Sequence, residues 1–201
     1  MNEEKTWIVQ AQQGNDEAFT QLVEQYQSPV YNLCYRMLGE PELAEDAAQE
    51  SFLRAYQNIG RFDRQRSFPT WLLSIAAHYC IDRLRRRKFG LISIDEEGDD
   101  DDRPLEFADV TAVNPEREAE RREEQQALQL VLQKLNPTDR AALVLRYWYD
   151  FSEIEIAESL RLTVPAVKSR LHRARREVAR RLEAAAPEPH LERMPYGTPA
   201  L

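Results

Sequence analysis

The chain has 201 residues, of which 42% are apolar and 31% charged, and its formal net charge is −8 at pH 7. This composition excludes collagen-like, mucin-like and disulfide-framework proteins, and no apolar run is long enough to predict a membrane-spanning helix. The acidic N-terminal sequence MNEEKTWIVQ does not resemble a signal peptide, and the chain has only two cysteines. We therefore expect a cytoplasmic protein.

A negative total charge argues against a nucleic-acid partner, but the charges are unevenly distributed along the chain. Residues 61–90 carry 8 basic and 2 acidic groups, and residues 128–186 carry 11 and 7. By contrast, residues 1–60 carry 3 basic and 10 acidic groups, and residues 91–127 carry 4 and 14. Two basic segments therefore alternate with acidic ones, and any functional interpretation has to explain this pattern.

The first half of the chain is predicted to be helical. Apolar residues at spacings of three and four predict helices over about 4–13, 16–38, 41–57 and 69–88. Asn15 or Asp16 can cap the second of these helices, and Pro29 either kinks it or starts a new segment. No alternating run is long enough to predict a strand, so the predicted fold class is all-α.

The middle of the chain changes character. The stretch SIDEEGDDDD and the prolines that follow it predict a flexible acidic linker, which would span about 80 Å if extended. Helix returns from about 115 to 135, and Asn136-Pro137 separates it from another helix. We predict two small helical domains, with the linker between them and a disordered proline-rich tail after them. Their ranges are 1–90, 91–114 (linker), 115–184 and 185–201 (tail).

The second domain contains the strongest motif. Ser152 and Glu155 form a capping box that begins a short helix, Arg161-Leu162 makes a tight connection, and Thr163 caps a longer helix. Six apolar residues of the longer helix form one buried stripe: Val164, Val167, Leu171, Ala174, Val178 and Leu182. This arrangement predicts a helix-turn-helix whose second helix enters the DNA major groove. The alternative is the solvated basic face of an ordinary helical hairpin.

The 41–57 helix has an acidic side formed by Glu42, Glu45, Asp46, Gln49 and Glu50, opposite an alanine-rich side. This acidic side either docks onto a basic protein or is an ordinary solvated face. Because no histidine or further carboxylate cluster completes a site, a divalent metal is disfavoured.

The 61–90 segment interleaves aromatic and basic residues, a pattern suited to unpaired bases and their phosphates. Helical spacing places Leu72, Ile75, Ala76 and Tyr79 in the core, whereas Trp71 fits either role. Because Asp63 and Asp82 are the only acids in the segment, we expect an electropositive surface. The two cysteines are expected to be buried thiols, and no motif for catalysis, cofactor or metal binding is present.

Four sequence motifs resemble the extracytoplasmic-function (ECF) branch of the sigma-70 family of bacterial RNA polymerase sigma factors. They are VYNLCYRMLG, AEDAAQESFLRAY, FPTWLLSIAAHYCIDRLRRRK and FSEIEIAESLRLTVPAVKSRLHRARREV. The resemblance covers roughly 15–90 and 125–183. It departs at Arg161, where the family usually has glycine, and at His78, where asparagine is frequent.

The resemblance implies a function for each segment. The protein would join core RNA polymerase, read the −35 and −10 promoter elements and help to open the −10 DNA, without being an enzyme. The core-binding residues, facing the beta-prime clamp helices, would be Glu45, Asp46, Gln49, Glu50 and Phe52. The −10 residues would be Arg61, Phe62, Phe68, Trp71, His78, Asp82, Arg83, Arg85, Arg86 and Arg87. The −35 residues would be Lys168, Ser169, Arg170, His172, Arg173 and Arg176.

Further partners implied by the resemblance are the polymerase beta subunit and an anti-sigma factor, with no membrane insertion. The main alternative function is a stand-alone helix-turn-helix regulator that binds an operator without polymerase. A third possibility is a helical adaptor that binds only proteins.

Overall fold

A computed structural model describes residues 3–88 and 125–185 of the chain. The predicted acidic linker and the tail beyond residue 185 lie outside the described residues, as does the start of the helix predicted from 115. Within the described ranges every regular element is helical, as the sequence predicts.

Four helices form the N-terminal bundle, which we define as α1–α4. They are α1 (Glu3–Gln12), α2 (Asp16–Leu38), α3 (Pro41–Asn58) and α4 (Phe68–Lys88), with one 3₁₀ turn at Ile59–Arg61. Asn15, rather than Asp16, caps α2, because its side chain accepts a hydrogen bond from the Ala18 amide. Pro29 lies inside α2, which continues past it as one helix. Gly39 ends α2 with a φ of 86°.

The central helix α2 packs against each of the other three helices of the N-terminal bundle. Its buried positions recur at spacings of three and four and include Leu22, Val30 and Leu33, all fully buried. The partner helix α4 contributes Leu72 and Ala76, which were predicted as core residues and are also fully buried. The burial of this apolar stripe fixes the positions of α3 and α4 against α2.

Four further helices form the C-terminal bundle. They are α5 (125–133), α6 (Pro137–Trp148), α7 (Glu153–Leu160) and α8 (Val164–Ala185). Asn136 caps α6 by accepting from the Thr138 amide at 3.0 Å, and Pro137 occupies the first turn, where its missing N–H costs nothing.

The two bundles are in direct contact. Helices α6 and α7 pack against α4, and α6 also packs against α2. One continuous cluster of buried apolar side chains joins residues of α2, such as Met37, to residues of α6 and α7, such as Leu145 and Ile156. The two domains predicted from the sequence therefore share a core in this conformation.

Candidate nucleic-acid interface

Helices α7 and α8 form a helix-turn-helix. The Ser152 backbone amide donates to the Glu155 carboxylate at 2.8 Å, and the Glu155 amide donates to the Ser152 hydroxyl, which completes the predicted capping box. Arg161 ends α7 in the left-handed conformation, with a φ of 53°. This conformation explains why glycine suits that position, and it shows that the turn forms with arginine there. Thr163 accepts from the Ala166 amide at 3.4 Å at the start of α8.

The second helix, α8, presents a polar surface opposite its buried stripe. Val167, Leu171 and Ala174 are buried as predicted, whereas Leu182 is 39% exposed and does not belong to the core. Five of the six predicted −35 residues are exposed: Lys168, Ser169, His172, Arg173 and Arg176.

The sixth residue, Arg170, is half-buried because it pairs with Asp139 on α6. Its Nη1 lies 2.6 Å from Asp139 Oδ1, and Arg173 Nε and Nη2 lie 2.8 and 2.9 Å from the two oxygens of the same carboxylate. The Asp139 side chain is 6% exposed. One buried carboxylate therefore holds two arginines of α8, a contact that was not predicted from the sequence.

In the N-terminal bundle, three of the predicted −10 residues line a single groove of about 350 Å³. Arg61, Trp71 and His78 line this groove together with Arg54, Asn58, Ile75 and Arg161. The His78 Nδ1 lies 2.9 Å from the Ser74 carbonyl oxygen. Because a carbonyl only accepts, Nδ1 is the donor, and Nε2 is left for another partner.

The neighbouring rings Phe62 and Phe68 lie in the core instead. They are 5% and 2% exposed, and their centroids are 5.4 Å apart in an edge-to-face arrangement. Trp71 packs against both rings at 4.9 and 5.6 Å and stays partly exposed. The prediction that Phe62 and Phe68 present rings to DNA is therefore corrected for this conformation, because they form the apolar base on which Trp71 rests.

The basic residues at the end of α4 pair with acids of other elements. Arg83 lies 3.6 Å from Asp46, and Arg87 lies 2.8 Å from Glu40, whereas Arg86 and Asp82 are exposed. Arg85 donates to the Thr138 hydroxyl of α6 at 3.2 Å. The expected electropositive surface is thus partly neutralised, because Asp46 and Glu40, which lie outside the 61–90 segment, pair with its arginines.

Helix α3 displays the predicted acidic face. Glu45, Asp46 and Gln49 are exposed, Glu50 pairs with Arg54 at 2.7 Å, and Phe52 is half-buried. Leu53 lies on the same face, because it follows Asp46 by seven residues and Glu50 by three. It is 51% exposed and was missed by the sequence analysis. A single apolar residue at helical spacing within an acidic stripe was the available signal.

Side chains of the C-terminal bundle hold it against α2. Gln129 donates to the Tyr35 carbonyl at 2.9 Å, Tyr149 donates to the Pro29 carbonyl at 2.6 Å, and Arg140 donates to the Met37 carbonyl. Arg140 is 3% exposed, and this burial lowers the pKa of its guanidinium to about 10. Burial also raises the pKa of the Tyr149 hydroxyl. These contacts bring the turn residue Arg161 to the edge of the groove that Arg61, Trp71 and His78 line.

Within 3–88 and 125–185, no group of three or more histidine, cysteine, aspartate or glutamate side chains is placed to hold a metal ion. In the same ranges, no helix combines the length and apolarity needed to cross a bilayer.

A helix-turn-helix on the same chain as a basic and aromatic groove is typical of a DNA-binding transcription protein. Comparison with known proteins agrees with this class. The Sigma-70 region 2 family matches residues 22–89, and the Sigma-70 region 4 family matches residues 125–178. The ECF RNA polymerase sigma factor SigW of Bacillus subtilis is 39% identical over 180 residues, covering 89% of this chain and 96% of SigW.

Solved structures show the same fold. The structure of CnrH in complex with the cytosolic domain of CnrY superposes with a TM-score of 0.64 and 26% identity, covering 92% of this chain and 100% of that chain. The sigma factor RpoE of Bartonella quintana, in complex with the anti-sigma factor NepR, has a TM-score of 0.63 at 18% identity, covering 84% and 98%. The chain belongs to the ECF family of RNA polymerase sigma factors. It is a sigma factor that directs RNA polymerase to promoters, and the stand-alone regulator is not favoured.

Proposed function

We propose that the two bundles divide promoter recognition between them. The N-terminal bundle, within residues 1–90, binds core polymerase and the −10 element, and the C-terminal bundle, within residues 115–184, reads the −35 element. The observation that carries this division is the groove in which Arg61, Trp71 and His78 come together, on the same chain as a helix-turn-helix.

In the −10 groove, the indole of Trp71 offers a stacking surface, His78 Nε2 offers a polar contact, and Arg61 supplies positive charge for a phosphate. Base stacking on an aromatic ring is sequence-tolerant and contributes about 1–3 kcal/mol per base. An unpaired base inserted here would be withdrawn from the duplex, and this is the event that opens the −10 DNA. Phe62 and Phe68 support the groove from below. The basic end of α4, with Asp82, Arg83, Arg85, Arg86 and Arg87, follows the adjoining phosphates.

At the −35 element, α8 lies in the major groove and presents Lys168, Ser169, Arg170, His172, Arg173 and Arg176. Phosphate contacts by these cations supply affinity, while arginine forks aimed at guanine supply discrimination. The acidic face of α3 docks on the clamp helices of the beta-prime subunit through Glu45, Asp46, Gln49, Glu50 and half-buried Phe52. Exposed Leu53 gives that polar contact an apolar centre.

Binding both elements requires the bundles to separate. The −35 and −10 elements lie about 25 base pairs apart, or about 85 Å at about 3.4 Å per base pair. Two bundles in direct contact cannot occupy both elements at once. We therefore assign the contacting arrangement to the protein away from the promoter, where a cytoplasmic anti-sigma factor of the kind that binds RpoE would find it.

Run-off transcription tests this function. With core polymerase and the protein together, transcripts are expected from a promoter with defined −35 and −10 elements, and neither component alone should produce them. Asp46→Lys with Glu50→Lys should weaken binding to core and leave the DNA contacts of the helix-turn-helix intact. Transcriptional regulation by the protein without association with core polymerase would contradict the proposal and would favour the stand-alone regulator.

A further inference from the structure

The carboxylate of Asp139 lies where a helix outside the helix-turn-helix meets the recognition helix. Asp139 belongs to the first turn of α6, where the partial positive charge of the helix N-terminus favours an anion. Its side chain is 6% exposed, and all its described ion pairs lead to α8. A buried carboxylate that accepts from two arginines is fixed in place, because either partner's departure would leave charge poorly compensated.

Arg173 uses one edge of its guanidinium for this contact. Its Nε donates to Asp139 Oδ2 at 2.8 Å and its Nη2 donates to Oδ1 at 2.9 Å, while Nη2 also lies 2.7 Å from Oδ2. Two donors on one edge of the guanidinium thus engage both carboxylate oxygens, as in an arginine–carboxylate fork. A guanidinium carries five N–H donors, so Nη1 and the second hydrogen of Nη2 remain on the outer edge. No described residue takes them, and the Arg173 side chain is 60% exposed.

The exposed edge of Arg173 flanks the surface that also carries His172 and Arg176. A contact that served only to join α6 to α8 would be satisfied by burying both partners. Here the carboxylate is buried and the guanidinium remains open to solvent. The second partner, Arg170, is held at 2.6 Å and is half as exposed as Arg173.

From this geometry we propose that Asp139 is a positioning residue for −35 recognition. It holds the Arg173 guanidinium in one orientation, and Arg170 beside it, so that the outer edge of Arg173 meets a guanine as a prepared pair of donors. Asp139 does not touch DNA itself. This inference rests on the proposed function of α8.

The role of Asp139 predicts an effect on selectivity rather than on overall affinity. Removing the negative charge lessens repulsion of phosphates, so non-specific binding is not expected to fall. Releasing Arg173 should instead reduce discrimination at the base positions it reads by about tenfold, within the range for a bidentate arginine–guanine pair. Positions read by Lys168 or Arg176 should keep their preference.

The test compares the full chain with its Asp139→Asn variant, each assembled with core polymerase. Run-off transcription is measured on a set of promoters in which every −35 position carries each of the four bases in turn. The matched control is Glu177→Gln. This change removes a carboxylate of α8 that pairs with Arg180 and Arg181 at 2.7 and 2.6 Å, neither of which is a predicted −35 residue. Asp139→Asn is expected to flatten the base preference at one or two positions, and the control to flatten none.

Arg173→Lys tests the same pair from the other side, should Asp139→Asn fail to fold as judged by thermal melting. Lysine keeps the charge but cannot make the fork, so the same positions should lose preference. In an Arg170→Ala, Arg173→Ala background, Asp139→Asn should cause no further loss.

An equal decrease at all positions, or an unchanged preference in both Asp139→Asn and Arg173→Lys, would overturn the inference. Wild-type transcription that is indifferent to the −35 sequence would instead overturn the proposed function of α8.

Discussion

The hydroxyl of Tyr149 provides the cleanest test of the contact between the bundles. It donates to the Pro29 carbonyl at 2.6 Å, while the ring packs against the neighbouring apolar cluster. Tyr149→Phe removes this hydrogen bond and keeps the ring. A neutral hydrogen bond contributes about 1 kcal/mol net, so the ratio of contacting to separated bundles should fall about fivefold.

Single-molecule energy transfer between dyes on the two bundles measures this ratio directly. Gln57→Cys and Ala179→Cys place the dyes at exposed positions, and the buried native thiols stay unlabelled. The matched control is Tyr147→Phe, because Tyr147 lies two residues earlier, in the last turn of α6, and is 52% exposed. The control should leave the ratio unchanged.

A second measurement follows from the requirement that the bundles separate. If only separated bundles bind core polymerase at full strength, the apparent dissociation constant equals the intrinsic constant divided by the fraction of molecules with separated bundles. Tyr149→Phe should then tighten core binding by up to about fivefold, with no change in the acidic face of α3. An unchanged distance distribution, or weaker core binding in a folded variant, would refute the reasoning.

Three other predictions concern single sites. Gly14→Ala should lower the free energy of unfolding by about 1 kcal/mol in urea titrations, because residue 14 has a φ of 87° and open space where a Cβ would lie, whereas Gly60→Ala, with the same open space, should not carry this penalty. Cys34 and Cys80 are fully buried, and the pKa of the Cys34 thiol is raised. A thiol reagent should therefore label neither cysteine until denaturant is added. Rapid labelling of the native protein would contradict this prediction. Hydrogen bonds from Arg180 and Arg181 lower the pKa of Glu177 from 4.5 to about 2. The stabilisation by Glu177 is therefore present above pH 4.5 and is lost as the pH falls toward 2. An NMR titration of this carboxyl group with a midpoint near 4.5 would contradict the prediction.

Local features of the fold were predictable because their signals lie within a few residues. The capping box, Thr163 and the stripe through Val167 and Leu171 define the helix-turn-helix without any long-range information. The α2 cap at Asn15 was predicted in the same way, although Asp16 offered an equal alternative. Such signals determine where helices begin and which side is buried.

Contacts between distant segments could not be predicted. Asp139 lies 31 positions before Arg170 and 34 positions before Arg173 in the sequence, and the Tyr149 hydroxyl donates to a carbonyl 120 positions away. Nothing in the local pattern around Asp139 indicates that it faces α8. Likewise, Phe62, Phe68 and Trp71 have similar sequence surroundings, and only three-dimensional packing decides which ring stays accessible.

Three of the hydrogen bonds between the bundles have side-chain donors on the C-terminal side and backbone acceptors on α2. The three hydrogen bonds from Gln129, Arg140 and Tyr149 all end on backbone carbonyls of α2. A backbone acceptor is the same for every residue type, so substitutions on α2 that preserve the helix leave these acceptors intact. Changes in the C-terminal bundle can therefore adjust these three hydrogen bonds independently of α2, while substitutions on the exposed side of α2 leave them unchanged.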